Sequence, residues 1–238
     1  MSLPSLTQEL LQPFSPYQTL AQTLLPLTLE SDDGSHDVAH LHRVWKNCRR
    51  ISKLEGGDRR ILCAAVLLHD AVAVEKNSPQ RHLASRMAAQ QATLTLTRLE
   101  WSPADIAAVA HAIEAHSFSA GIPPQTLEAK ILQDADRLDA IGLIGVARCF
   151  YIGGRMRSAL YDAADPRAEH RQYDDKRFSL DHFETKLFKL QDGFQTAAGR
   201  QWPSSAPNAC GALSTICWKR CNLGLRGIFV MPITFSVT

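Results

Sequence analysis

The sequence predicts an all-α protein that folds as a single helical bundle. Apolar residues recur three and four positions apart over most of the chain, as they do on the buried face of a helix. Helix-capping and helix-breaking residues separate these stretches at short intervals. Before residue 200 no segment alternates apolar and polar residues in the manner of a half-buried strand, and we find no internal repeat. The 238 residues are enough for one sizeable domain.

The first helices follow from caps and breakers. Residues 5–28 are of mixed polarity and interrupted by proline, which predicts one or two short helices. Apolar spacing predicts a helix over residues 35–55, and Gly56 marks its end. Asp58 is a suitable N-cap for the next helix. Residues 61–74 are almost wholly apolar apart from one His-Asp pair, which predicts a buried helix.

The second half of the chain continues the pattern. Pro79 opens a linker before a helix predicted over residues 81–99. Ser102 followed by proline predicts a helix over residues 103–116. Two consecutive prolines then precede three predicted segments: a helix over 125–149, a long loop with a short helix over 151–177, and a return to helical spacing over 180–190.

The net charge of +2 hides an uneven distribution. All 24 acidic residues lie between Glu9 and Asp192, and four of the 26 basic residues follow Asp192, so residues 1–192 carry 22 bases and 24 acids. This mildly acidic body lacks a basic patch with interleaved aromatic residues, which argues against a nucleic-acid partner. No apolar run is long enough to span a membrane, and the start of the chain lacks an export signal. We therefore expect a cytoplasmic protein without disulfides.

Histidines concentrate where chemistry is expected. Seven of the nine fall between His36 and His116. The segment LLHDAV places His69 beside Asp70 in an apolar helix, where both groups are costly to bury unless they are satisfied. A divalent cation would satisfy them as ligands, and a hydrogen-bonded core pair is the alternative.

Two further segments carry candidate ligands. In HDVAHLHRV, His36 and His40 share a helical face and Arg43 follows three residues later. A guanidinium beside a metal ligand suits a bridging phosphate, whereas His42 is expected to be solvated. In LQDADRLDAIG, three carboxylates lie within an apolar helix, where helix capping or a salt bridge to Arg137 is the alternative to metal binding: Asp134, Asp136 and Asp139.

Taken in order, these segments resemble the HD-domain metal-dependent phosphohydrolases, which carry the pattern H…HD…D on a bundle of helices. The similarity extends to HSFS at 116–119, to LEAKILQDADRLDAIGLIGVAR from Leu127 and to DDKRFSLDHFETKL from Asp174, which resemble small stand-alone bacterial members. It covers roughly residues 20–200. We therefore predict an HD domain over residues 1–199 with a motif core at about 36–140.

The resemblance implies a metal site and a reaction. It assigns His40, His69, Asp70 and Asp136 as ligands, and two imidazoles with two carboxylates suit one divalent Mn, Fe, Co, Ni or Zn ion better than Mg. It implies hydrolysis of phosphate esters or anhydrides of a small molecule, expected to be a nucleotide, by phosphatase or pyrophosphohydrolase chemistry. The expected catalytic groups are Asp70, Arg43 and His116, and the expected substrate contacts are Lys76, His82, Arg43, His116 and Asp139.

Two matters stay open in the sequence. A non-catalytic nucleotide-binding or signalling HD module is the alternative to an enzyme, and the oligomeric state is undetermined. Residues 200–238 lack acids and crowd together Cys210, Cys217 and Cys221, which lack a fourth ligand at zinc-finger spacing. We favour a translation-frame change for this tail; a disordered tail and a hydrophobic docking segment are the alternatives.

Overall fold

The structure is a computed structural model that describes residues 7–28, 37–72, 74 and 78–205, with side chains described as far as Gln201. This part of the chain is helical, and its one β-type contact is an isolated bridge between Ala159 and Phe178. The all-α prediction is confirmed. The α-helices run α1 Gln8–Leu11, α2 Gln18–Leu24, α3 Val38–Glu55, α4 Arg59–Leu68, α5 Ala84–Arg98, α6 Pro103–His116, α7 Leu127–Ile141, α8 Leu143–Arg155 and α9 Ala197–Ser205.

Helix α4 lies at the centre of the bundle. Every residue from Ile61 to Leu68 is buried, because α2, α3, α6 and α7 pack around the helix. A helix that is apolar on all sides is stable only in such a position. Helices α5, α6 and α7 pack in sequence, and α3 packs on α7. The residues that follow Leu68 therefore lie in the middle of the bundle.

The predicted caps are present. The Asp58 carboxylate accepts hydrogen bonds from the amides of Arg60 and Ile61, at 2.7 and 3.2 Å, and so begins α4. Gly56, with a φ of 89°, ends α3, because a left-handed backbone is open to glycine. The Ser102 hydroxyl accepts from the Asp105 amide at 3.1 Å, and α6 has the predicted bounds.

Several predicted bounds are wrong in ways that matter for the site. The helix predicted over 61–74 ends at Leu68, because a continuous apolar run gives no periodic signal of where a buried helix stops. The helix predicted over 125–149 is two helices, α7 and α8, that meet at Gly142 in an extended conformation. A Cβ on Gly145 would lie 1.9 Å from the Ala140 carbonyl oxygen, so glycine is required where α8 packs back on α7.

The segment predicted to be helical over 180–190 has a less regular form. It consists of a π-helix over Phe183–Leu187 and a 3₁₀ helix over Phe188–Gly193. Its buried side chains form a small second core with α8, which includes Val146, Leu180 and Leu190. A π-helix is uncommon and is often found at functional sites.

Both ends of the described chain are attached to the bundle by hydrogen bonds. The imidazole of His42, expected to be solvated, is part-buried and donates from Nε2 to the Leu10 carbonyl at 2.9 Å. At the other end, the Asp134 carboxylate accepts from the amides of Gln195 and Thr196, both at 2.8 Å. Asp134 thus anchors the start of α9, which runs across the predicted boundary at residues 199 and 200.

Residues 206–238 lie outside the described residues, and so do His36, Lys76 and the three tail cysteines. The interpretation of the tail therefore stays a prediction. Among the described helices none has the length and apolar character needed to cross a membrane.

Candidate metal centre and active site

Three chain segments bring the predicted ligands together. His40 lies in the first turn of α3, where the Asp37 carboxylate caps the helix by accepting from the His40 amide at 2.9 Å. His69 and Asp70 directly follow α4, and Asp136 lies in α7. Because α4 ends at Leu68, the His-Asp pair lies at its C-terminal end, close to His40 of α3 and Asp136 of α7.

The donor atoms of these side chains surround one small volume. His40 Nε2 lies 3.3 Å from His69 Nε2 and 3.6 Å from a carboxylate oxygen of both Asp70 and Asp136. His69 Nε2 lies 3.2 Å from Asp70 Oδ2. Ligands about 2.1 Å from one metal ion are about 3.0–3.4 Å apart at right-angled or tetrahedral positions. The distances from His40 and His69 to their neighbours therefore suit ligands of a metal ion.

The two histidines are held with Nε2 towards this volume. The Nδ1 atom of His69 donates to the Val66 carbonyl at 2.8 Å, and a carbonyl oxygen can only accept. The Nδ1 atom of His40 lies 2.8 Å from the Asp139 carboxylate. Both rings are buried, with exposures of 0% and 1%. Since two neutral Nε2 atoms present lone pairs to each other, the site calls for a positive charge between them.

The pKa values of His69 and Asp136 also favour a positive charge at this position. Burial lowers the pKa of His69, but the charge and hydrogen bond of Asp70 and the charge of Asp136 outweigh it and raise the pKa to about 9. Burial raises the pKa of Asp136, yet His40, His116 and His69 together bring it below its ordinary value. The carboxylates of Asp70 and Asp136 therefore favour a positive charge at this position.

His116, the last residue of α6, extends the cluster. Its Nε2 lies 3.9 Å from Asp70 Oδ1, and its Nδ1 donates to the Ile113 carbonyl at 2.6 Å. Burial and the neighbouring His69 lower the pKa of His116, which favours the neutral ring. Within the described residues, two overlapping groups could hold a metal ion, each with donor atoms within 4.8 Å of one another: His40, His69 and Asp136, and His69, Asp70 and His116.

Asp139 lies behind His40 in a network of buried charge. Besides His40 it accepts from Arg43 Nε at 2.6 Å and from Arg148 Nη1 at 2.7 Å. Burial raises the pKa of Asp139, but the hydrogen bonds from His40 and Arg43 and the charges around it hold the pKa far below its usual range. Such a carboxylate fixes the tautomer and orientation of the imidazole. These contacts favour an orienting role for Asp139 and Arg43 over the substrate contact expected from the sequence.

A cavity of about 90 Å³ opens in front of Asp70 and Asp136. The Lys186 ammonium in its wall lies 5.9 Å from the centre of the Phe118 ring. Burial and the nearby Arg81 and Arg148 lower the pKa of Lys186, while Asp136 opposes them. The basic side chains that line the cavity are Arg81, Arg137, Arg148 and Lys186, together with His116 and His182. A polar cavity of this composition is suited to anionic groups.

Sequence reasoning missed Arg81, Arg148, His182 and Lys186. The last three fall in the segments that carry the family resemblance, but an isolated cation has no ligand-like spacing to single it out. Of the substrate contacts that were expected, His116 lines the cavity and His82 lies at an exposed position in the wall of an adjoining cavity. Lys76 lies outside the described residues.

A helical bundle that brings a His-Asp pair together with a further His and Asp beside a polar cavity has the arrangement of an HD domain. The family model described as HD domain matches residues 38–141. The chain belongs to the HD-domain family.

The chain is also similar to individual members in sequence and structure. It is 30% identical over 184 residues to the uncharacterized protein YpgQ of Bacillus subtilis, covering 76% of this chain and 82% of YpgQ. A crystal structure of an HD-superfamily hydrolase from Bacillus thuringiensis matches with a TM-score of 0.62 and 31% identity, over 87% of this chain and 98% of that one. YpgQ in complex with ADP matches with a TM-score of 0.59 and 28% identity, over 85% and 96%.

Proposed function

We propose that the protein is a metal-dependent phosphohydrolase that cleaves a phosphate ester or anhydride of a nucleotide. The observation that carries the proposal is a cluster of ligand-type side chains beside a cavity walled by basic residues, with Asp70, His116 and Asp136 of the cluster in the cavity wall. The similarity to an HD-superfamily hydrolase and to a protein that binds ADP supports it.

His40, His69, Asp70 and Asp136 would hold one divalent ion. Two imidazoles with two carboxylates suit Mn, Fe, Co, Ni or Zn better than Mg, which prefers oxygen ligands. When bound, such an ion polarises a phosphoryl oxygen and lowers the pKa of a water molecule. Asp139 keeps the His40 ring in the tautomer that presents Nε2, and the Val66 carbonyl does so for His69.

Basic side chains of the protein would bind the phosphate. Lys186 and Arg81 face the cavity and would bind the oxygens that do not react, while Arg148 is shared between the cavity wall and Asp139. The Asp70 carboxylate, about a quarter exposed, is placed to accept the proton of an attacking water. His116, kept neutral by burial and by His69, carries its proton on Nδ1, so its Nε2 would accept a hydrogen bond or a proton beside Asp70.

The test is hydrolysis of a nucleotide panel by protein loaded separately with Mn, Co, Ni or Mg, with phosphate and pyrophosphate release measured in parallel. We expect turnover with a transition metal, and the released product decides between phosphatase and pyrophosphohydrolase. Asp70→Asn should abolish turnover, whereas Asp105→Asn, which changes a surface carboxylate paired with Arg60, should not.

Nucleotide binding without turnover under every metal would overturn the enzymatic proposal and favour the non-catalytic module. Equal activity of wild type and Asp70→Asn would overturn the placement of the active site.

A further inference from the structure

The cavity at the ligand cluster adjoins a second, larger one. We call the cavity of about 90 Å³ the inner compartment and the neighbouring cavity of about 400 Å³ the outer compartment. The side chains common to both walls are Arg81, Ser119, Cys149, His182 and Lys186. Because both are bounded by the same residues, a ligand held at the shared wall has access to either.

The two compartments differ in size. Sites for organic ligands usually measure about 300–1,000 Å³, so the inner compartment is too small for more than a phosphate-sized group. The outer compartment falls within that range. Its lining lacks Asp70, His116 and Asp136, which line the inner compartment. The reacting group and the larger part of the ligand would therefore occupy different compartments.

The outer compartment also has a different surface. Pro79 and the α8 residues Ile152 and Met156 give it an apolar wall, and Ser158 and Ser179 line it beside that wall. Apolar walls with a few polar groups are typical of sites for organic ligands.

A glycine in the wall of this compartment allows two chain segments to pack closely. A Cβ on Gly153 would lie 2.2 Å from Ser179 Oγ, so the absence of a side chain allows α8 to approach the segment before the π-helix. Gly153 and Ile152 are both buried at this contact, which holds α8 against the segment around Ser179.

Charge at the junction sets the direction of a ligand. Lys186 and Arg81 lie in the shared wall, and His182 beside them donates from Nδ1 to the Asp175 carboxylate at 3.0 Å. Asp175 also accepts from the Thr185 hydroxyl at 3.1 Å, which fixes the His182 ring. An anionic chain would cross this junction with its phosphates towards the ligand cluster and its uncharged end outwards.

We propose that the outer compartment binds the nucleoside part of the substrate, with the base against Ile152 and Met156 and the phosphate chain passing Arg81 and Lys186 to the inner compartment. The inference rests on the proposed function, because that function places the reacting phosphate at the ligand cluster. It adds a specificity site on α8 and the segment around Ser179.

The test is calorimetric binding of two probes, ADP and inorganic pyrophosphate, to the full chain loaded with Mn. Pyrophosphate carries the charge of the phosphate chain but has nothing to place in the outer compartment. Met156→Trp places a larger, rigid ring in the wall against which the base is proposed to lie, so we expect it to weaken ADP binding at least about tenfold and to leave pyrophosphate binding within about twofold. Tyr151→Trp, at an exposed position of the same helix outside both walls, should change neither.

A milder variant keeps the test valid if tryptophan disturbs folding. Met156→Ala removes the contact without crowding, and we expect it to weaken ADP binding by a few-fold with pyrophosphate unaffected. Equal ADP affinity in wild type and both Met156 variants would overturn the inference, as would equal losses for both probes.

The two proposals fail in different ways. If wild type binds ADP through Met156 but hydrolyses no nucleotide, the proposed function is wrong and the nucleoside site stands. If nucleotides are hydrolysed and the KM is the same in wild type and the Met156 variants, the nucleoside site is wrong and the proposed function stands.

Discussion

The ligand cluster and the wall of the outer compartment differ in how their polar side chains are held. Around the cluster, His40, His69 and His116 are buried and each Nδ1 is engaged by a fixed partner. The facing wall comes from α8, a long irregular segment and a π-helix, and its Lys186 is directed to the cavity without a carboxylate partner among the described residues. Under the proposed function, the first region would hold the metal ion and the second would receive the anionic substrate. Metal affinity and substrate affinity should therefore respond to different substitutions.

The largest effect should come from the cluster itself. His69→Gln removes an Nε2 ligand, and we expect metal content to fall and turnover to drop by well over the about 10–100-fold that orienting residues cost. Metal analysis and nucleotide hydrolysis provide the measurement. His111→Gln is the control, since His111 accepts from the Gln125 amide at 2.8 Å outside the cluster. Full metal content in His69→Gln would contradict the ligand assignment.

The next effect tests the orienting carboxylate. Asp139→Asn removes the charge that holds His40, Arg43 and Arg148, and we expect metal affinity to fall about 10–100-fold. Titration with Mn or Co followed by calorimetry measures it. The KM of metal-saturated enzyme should change little, which separates orientation of His40 from contact with substrate. A rise in KM at unchanged metal affinity would instead restore Asp139 to the substrate contacts expected from the sequence.

The wall should show the reverse pattern. Lys186→Met keeps the length of the side chain and removes its charge, and we expect KM to rise about tenfold with metal affinity unchanged, because a hydrogen bond to a charged group contributes about 1.5–3 kcal/mol. Lys189→Met changes an exposed lysine of the adjacent 3₁₀ turn and serves as the control. The same KM in both variants would mean that Lys186 does not contact substrate.

The sequence was informative about the cluster for a physical reason. Polar His and Asp residues in apolar helices are conspicuous, and helix caps such as Asp58 and Ser102 are local signals, so the all-α class, the α6 bounds and the candidate ligands could be predicted. The end of α4 at Leu68 could not be, since an apolar run carries no stop signal. Nor could Lys186 or Arg148 be singled out, because their meaning depends on a cavity formed by segments far apart in the chain.

The smallest effect on turnover should come from removing the Arg171–Asp181 ion pair, which stabilises the segment that forms the wall. This change should also separate the two regions most clearly. Asp181 is fully buried and accepts two hydrogen bonds from Arg171, at 2.5 and 3.0 Å, and one from the Asp174 amide at 2.7 Å. Arg171→Met leaves that carboxylate buried without its cation, which costs roughly 3 kcal/mol.

Because the contacts of Arg171 lie within residues 162–181, the loss should be local. We expect faster amide hydrogen exchange in this segment and a KM raised a few-fold, with metal affinity unchanged. Arg167→Met, at an exposed position of the same segment, should show none of this. A fall in metal affinity in Arg171→Met would mean that the wall and the cluster are one cooperative unit, and the separation on which these predictions depend would be lost.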